Sequence, residues 1–144
     1  MIVIADTSGI IASVDRSSPA HAAARNVMNT ASLVVIAPPV FAELDHLVGG
    51  RFGKRAAGAL TDQLLAHARA GRYAVAECGA EVLSDARTVQ QRYGDLQLDL
   101  TDAVLAVTAR EYATDAVLTL DRKDFRTIRP LSGHVAYRVL PDDL

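Results

Sequence analysis

Asp6, Glu43, Asp102 and Asp121 stand at the edge of, or inside, hydrophobic segments that have to pack into a core. Asp6 ends the run MIVIA, Glu43 interrupts APPVFAELDHLV, Asp102 opens DAVLAVTA and Asp121 follows AVLTL. Carboxylates brought to one place by separate elements repel one another. At roughly 5 Å and an effective dielectric near 20, each pair costs about 3 kcal/mol, so a converged set rivals the whole stability of a domain. Converged acids must take up protons or hold a cation. The chemistry that follows is metal-assisted hydrolysis, in which a hard divalent ion lowers the pKa of water and neutralises charge on a phosphoryl group.

Each acid also has a plain structural reading. Asp6 can cap a helix or start a turn. Glu43 can answer the dipole of a first helical turn. Asp99 can be an N-cap with Asp102 reaching back to it, a capping box with Asp in place of Glu. Asp121, in LDRKDF, can open a turn. The set of four is more informative than any member.

The elements that would position these acids follow from periodicity and punctuation. Ile2 to Ala5 reads as a short buried strand, with Thr7 and Ser8 as caps for a helix from about Gly9. A second helix is expected after Ser17 and Ser18, with Pro19 in its first turn. Leu33 to Ala37 reads as a strand that stops at Pro38-Pro39. The helical spacing of Val40, Phe41, Leu44, Leu47 and Val48 then runs until Gly49-Gly50 breaks it. Further helices are expected over Lys54 to Ala70, Ala80 to Arg92 and Leu100 to Tyr112. Strands are expected at Tyr73 to Ala76, Ala116 to Leu120 and Val135 to Leu140. Alternation of this kind predicts an α/β protein in which a mostly parallel sheet of four to five strands lies between two helical layers. Ligands of such sheets bind beyond the carboxyl ends of the strands, which places Asp6 and Asp121 on one rim.

At 144 residues the chain is read as one domain, residues 1–144, without repeats or low-complexity tracts. Half of its residues are hydrophobic and 22% are charged, which excludes a disordered chain. The single Cys78 has no internal disulfide partner, and no secretory or membrane-spanning run is evident, so a cytoplasmic protein is expected. A formal net charge of −2 speaks mildly against a nucleic-acid binder, but two bound divalent cations would reverse its sign.

The segments IADTSGI, PPVFAELDHLV, LDLTDAVLAVTARE and LTLDRKDF, in that order, resemble the PIN-domain nucleases, and among them the VapC-like toxins of toxin–antitoxin pairs. The resemblance spans essentially the whole chain. It implies a three-layer α/β/α fold, Mg²⁺- or Mn²⁺-dependent endoribonuclease activity, an RNA substrate and a cognate VapB-like antitoxin that blocks the site. By motif, Asp6, Glu43, Asp102 and Asp121 take the family's acidic positions. Asp99 is a further candidate ligand, and Ser8 matches a hydroxyl that orders the site.

Phosphates of RNA need cations to meet them. Arg51, Lys54 and Arg55 form one basic cluster, and Arg122, Lys123, Arg126 and Arg129 form another beside Asp121. The four histidines show no ligand spacing. Cys78 reads as a small buried hydrophobe. Three readings stand side by side: a metal-dependent endoribonuclease toxin, a catalytically inactive fold that binds RNA or protein, and a phosphoacceptor domain. The last needs an acceptor Asp after a middle strand, where this chain has Pro38-Pro39. The apolar helices between Phe41 and Leu65 are expected to cover themselves with a second copy, giving a homodimer, or with an antitoxin helix.

Overall fold

The computed structural model describes residues 1–144. Its sheet is built from β1 (Ile2–Ala5), β2 (Leu33–Ile36), β3 (Tyr73–Val75), β4 (Ala116–Leu118) and β5 (Arg138–Leu140). The spatial order is β3-β2-β1-β4-β5, and every pairing is parallel. Ile4 at the centre pairs with Val35 on one side and Val117 on the other, so β1, β2 and β4 end on a common rim. Central strands covered on both faces need apolar side chains on both, which is why these segments read as unbroken runs of Val, Ile and Leu rather than alternating ones. Val3, Ile4, Val34, Val35, Val117 and Leu118 are completely buried.

Seven helices flank the sheet: α1 (Thr7–Val14), α2 (His21–Thr30), α3 (Pro38–Phe52), α4 (Lys54–Arg69), α5 (Ala80–Arg92), α6 (Leu100–Glu111) and α7 (Arg122–Thr127). With right-handed crossovers, the steps from β1 through β2 to β3 place α1 to α4 on one face. The return to β4 and the step to β5 place α5 to α7 on the other. Accordingly α1 packs on α2 and α3, and α3 on α4, while α5 packs on α6. The α/β/α arrangement expected from the sequence is observed, with all five strands parallel. Helix α6 is buried along Asp102 to Ala109 because its sequence is apolar all round and it lies against β1.

Several local expectations are corrected. The first helix begins at Thr7 rather than Gly9, because Asp6 is its N-cap and accepts from the Thr7 amide at 2.7 Å. Pro19 precedes α2, whose N-cap is Ala20. Gly49-Gly50 do not stop α3. It continues to Phe52 and ends at Gly53, whose φ of 94° is a conformation that β-carbon-bearing residues avoid. The last strand is shorter than Val135 to Leu140. A 3₁₀ turn at Gly94–Leu96 and the short α7 had no sequence expectation.

One glycine is dictated by packing. A Cβ on Gly9 would lie 2.5 Å from the Leu118 carbonyl oxygen and 2.6 Å from the Leu118 Cγ. This close approach lets α1 press on β4, bringing the Asp6–Ser8 segment against the residues that follow β4.

Candidate active site

Asp6, Glu43, Asp99, Asp102 and Asp121 line one open cleft of about 570 Å³ at the carboxyl rim of the sheet. Four separate parts of the chain deliver them: the β1–α1 junction, the second turn of α3, the start of α6 and the end of the segment after β4. Glu43 lies beyond the first turn of α3, so an interaction with the helix dipole does not account for it.

The triplet Asp6-Thr7-Ser8 ties three of these parts together. Asp6 Oδ1 accepts from the Thr7 amide, and the Thr7 hydroxyl donates to Glu43 Oε1 at 2.5 Å, fixing α3 to the β1 end. Asp6 Oδ2 accepts from the Thr119 hydroxyl at 2.8 Å. The Ser8 hydroxyl lies 3.2 Å from that of Thr119 and accepts from the Leu120 amide at 2.9 Å. Thr119 Oγ1 also accepts from the Asp121 amide at 3.0 Å. Ser8, expected from the resemblance to order the site, stands within this hydrogen-bond network. Thr119 is fully buried, and neither it nor the Thr7–Glu43 bond was anticipated from sequence.

Asp99 is the N-cap of α6, accepting from the Asp102 amide at 2.8 Å, and it also faces the cleft. Capping and proximity to the site therefore coexist.

Burial first, and neighbouring acids second, raise two carboxyls of the site. Burial is the main force that pushes the Asp6 carboxyl up to about 6, against the opposing bonds from Thr119 and Thr7 and with help from Glu43 and Asp99. Asp102 is raised further. Burial leads there as well, followed by the negative charges of Asp99 and Asp6 and by the adjacent Asp124.

Asp124 was missed. Carboxylate oxygens of Asp102, Asp121 and Asp124 all lie within 4.8 Å of one another, the spacing of a cation site. An ion with ligands at 2.0–2.1 Å separates opposed oxygens by about 4.2 Å, so the group suits Mg²⁺ or Mn²⁺ after a small inward movement. Asp6 and Glu43 stand outside this compact group but line the same cleft. The available signal for Asp124 was its place three residues after Asp121, one turn along what proves to be α7.

An all-carboxylate donor set of this kind fits a hard divalent ion and is unlike the thiolate or imidazole sets of softer metals. The PIN domain profile matches residues 3–129. The chain belongs to the PIN-domain family. It is 36% identical over 132 residues to Ribonuclease VapC26 of Mycobacterium tuberculosis, an alignment covering 91% of this chain and 95% of that protein. Among solved structures, this PIN domain is similar to the M. tuberculosis toxin VapC20, described as cleaving the sarcin-ricin loop. There the TM-score is 0.73 with 21% identity, over 83% of this chain and 89% of that one. It is also similar to VapBC2 of Rickettsia felis bound to a promoter DNA fragment, with a TM-score of 0.65 and 20% identity over 91% and 96%. At such identities the structures speak for the shared fold.

The basic clusters are less free than the sequence suggests. Arg122 pairs with Asp142, and Arg126 forms a two-pronged bond to Asp143 at 2.5 and 2.8 Å. The Arg126 fork, aided by the Val139 amide, holds the Asp143 carboxyl down at about 2. Arg51 reaches the cleft wall and pairs with Asp15 at 3.3 Å. Lys123, Lys54, Arg55 and Arg129 enter no ion pair. No helix of the protein is long and apolar enough to cross a membrane.

Proposed function

We propose that this protein is a Mg²⁺- or Mn²⁺-dependent endoribonuclease, the toxin of a toxin–antitoxin pair, with residues 1–144 acting as one domain. The observation that carries the reading is the single cleft in which five acidic side chains from four separate parts of the chain meet, two of them with carboxyl pKa values raised well above the usual range. Kinship with a ribonuclease at 36% identity supports RNA as the substrate.

Asp102, Asp121 and Asp124 are proposed to hold the ion, with Asp6 and Glu43 completing the site or serving a second ion, and with Asp99 at its edge. A bound divalent ion would supply an activated water and charge neutralisation at the phosphodiester. The chain's own part is positional. Thr7 and Thr119, with Ser8 beside Thr119, fix the orientation of Asp6 and Glu43 before substrate arrives. Arg51 at the cleft wall and Lys123 on α7, between Asp121 and Asp124, are proposed to receive the RNA backbone, with Lys54 at the start of α4 beyond them. Arg122 and Arg126 can join them by exchanging their exposed carboxylate partners, Asp142 and Asp143, for phosphate.

Beside the cleft, Val14, Val48, Phe52, Ala56 and Leu60 border an apolar hollow of about 390 Å³ between α1, α3 and α4. Phe52 is half exposed. We assign this surface to the antitoxin, with a second copy as the competing occupant. The relation to a toxin–antitoxin complex of known structure supports a partner of this kind.

The test is cleavage of total RNA with mapped ends, with and without Mn²⁺, by the wild type and by Asp6→Asn and Asp102→Asn. New 5′-phosphate ends are expected with metal alone, and a fall of roughly 10²-fold or more in each variant. Undiminished cleavage by both variants would remove the metal-site assignment.

A further inference from the structure

A second pocket, of about 240 Å³, lies between α1, α2 and α4, and its charge is the reverse of the cleft's. In the connection from α1 to α2, Asp15, Ser17 and Ser18 line the acidic cleft, whereas the intervening Arg16 lines this second pocket. Helix α2 presents His21, Arg25 and Asn29 at intervals of four residues, the spacing of one helical face, and α4 answers with Gln63 and His67. No acidic residue lines the pocket, and neither Arg16 nor Arg25 enters an ion pair.

Its walls are held in place. The His67 ring packs at a tilt of 36° against Tyr73, with centroids 4.6 Å apart. His21 Nδ1 lies 2.9 Å from the Ala12 carbonyl, so that nitrogen is the donor, and Nε2 can donate to a phosphate oxygen when the ring is in its imidazolium form. The Arg72 guanidinium, outside the pocket lining, donates to the Asn29 backbone carbonyl at 3.2 Å and ties the segment before β3 to α2.

From this geometry we infer that the pocket is a phosphate-ester site, distinct from the catalytic cleft, in which Arg16 and Arg25 provide the charge and His21, Asn29, Gln63 and His67 provide polar contacts. Guanidinium groups suit phosphate oxygens because their forked N–H donors bond two of them at once. Two sources of phosphate share this chemistry: the RNA strand beyond the cut position, led over the α1–α2 connection by Arg16, and a free nucleotide. The first source rests on the ribonuclease reading above; the second does not.

The experiment compares wild type with the Arg16→Ala/Arg25→Ala double variant, whose substitutions are exposed and touch no part of the acidic cleft. The imidazole signals of His21 and His67 are followed by NMR as inorganic phosphate, a nucleoside 5′-monophosphate and 2′-O-methylated RNAs of increasing length are added. Both signals are expected to move in wild type and to stay still in the variant. If the strand is the ligand, affinity for long RNA falls about tenfold, and its salt slope shrinks by about 0.7 for each phosphate contact removed, while cleavage of a minimal oligonucleotide is unchanged. If a free nucleotide is the ligand, monophosphate binding is lost and long RNA binds as before.

Histidine signals indifferent to phosphate, nucleotide and RNA alike would overturn the proposal, as would a variant that lost only affinity for the antitoxin. Retained cleavage of the minimal substrate separates either result from a failure of the nuclease reading, which Asp6→Asn tests on its own.

Discussion

At the scale of single residues, the carboxylates of Asp6 and Glu43 are held by the hydroxyls of Thr119 and Thr7. Thr119 is a positioning residue: its hydroxyl donates to Asp6 and accepts from the Asp121 amide, coupling the ends of β1 and β4. Thr119→Val keeps the shape and removes that link. Activity is expected to fall roughly tenfold or more, with a stability loss of about 1–2 kcal/mol from groups left unpaired. Because the Thr119 bond holds the Asp6 carboxyl down, its removal should also raise the lower limb of the pH–rate profile. Thr119→Ser should restore both readouts. Equal activity in the Val and Ser variants would reduce Thr119 to a packing residue.

At the scale of elements, the junction of α1 with β4 is the joint on which the site depends. Gly9 permits it, since any β-carbon there meets the Leu118 backbone. Gly9→Ala is expected to cost about 2–3 kcal/mol by overpacking, seen as a lower urea midpoint with unchanged slope. It should also lower activity by moving Asp6 and Ser8 away from Thr119. Gly58, with open space around it, is the control and should tolerate Ala. Similar behaviour of the two variants would show that the close approach is not maintained in solution.

At the scale of the whole molecule, stability must depend on pH and metal in opposite senses. Asp6 and Asp102 bind protons more tightly in the folded chain than in the unfolded one. Their contribution is therefore complete below about pH 4. It is lost as pH rises through about 6 for Asp6 and higher for Asp102, with about 3 kcal/mol as an upper limit for Asp6 alone. Without metal, Asp6→Asn and Asp102→Asn should match wild type at acid pH and exceed its stability near pH 8. Mn²⁺ at about a hundred times its Kd should return about 2.7 kcal/mol to wild type and little to the variants. Denaturant melts at both pH values check this. A wild type that gains nothing from Mn²⁺ at pH 8 would count against a cation in the cleft.

The sequence alone was enough for the layered α/β plan, because strands buried on both faces and helices of regular apolar period write themselves into residue type. It also singled out Asp6, Glu43, Asp102 and Asp121 as a set although each had a plain local reading, and the order of the motifs around them supplied the family. What it left undecided depends on distances between segments far apart in the chain. Asp124 joins the compact acidic group only because α7 forms. Arg122 and Arg126 meet acids about twenty residues away. Thr119 acquires its role only because parallel pairing sets the ends of β1 and β4 side by side. Periodicity reports which face of an element is covered, since burial acts on every turn or pleat. It carries no record of which polar groups come within hydrogen-bond reach when those faces close, and that was settled by tertiary packing.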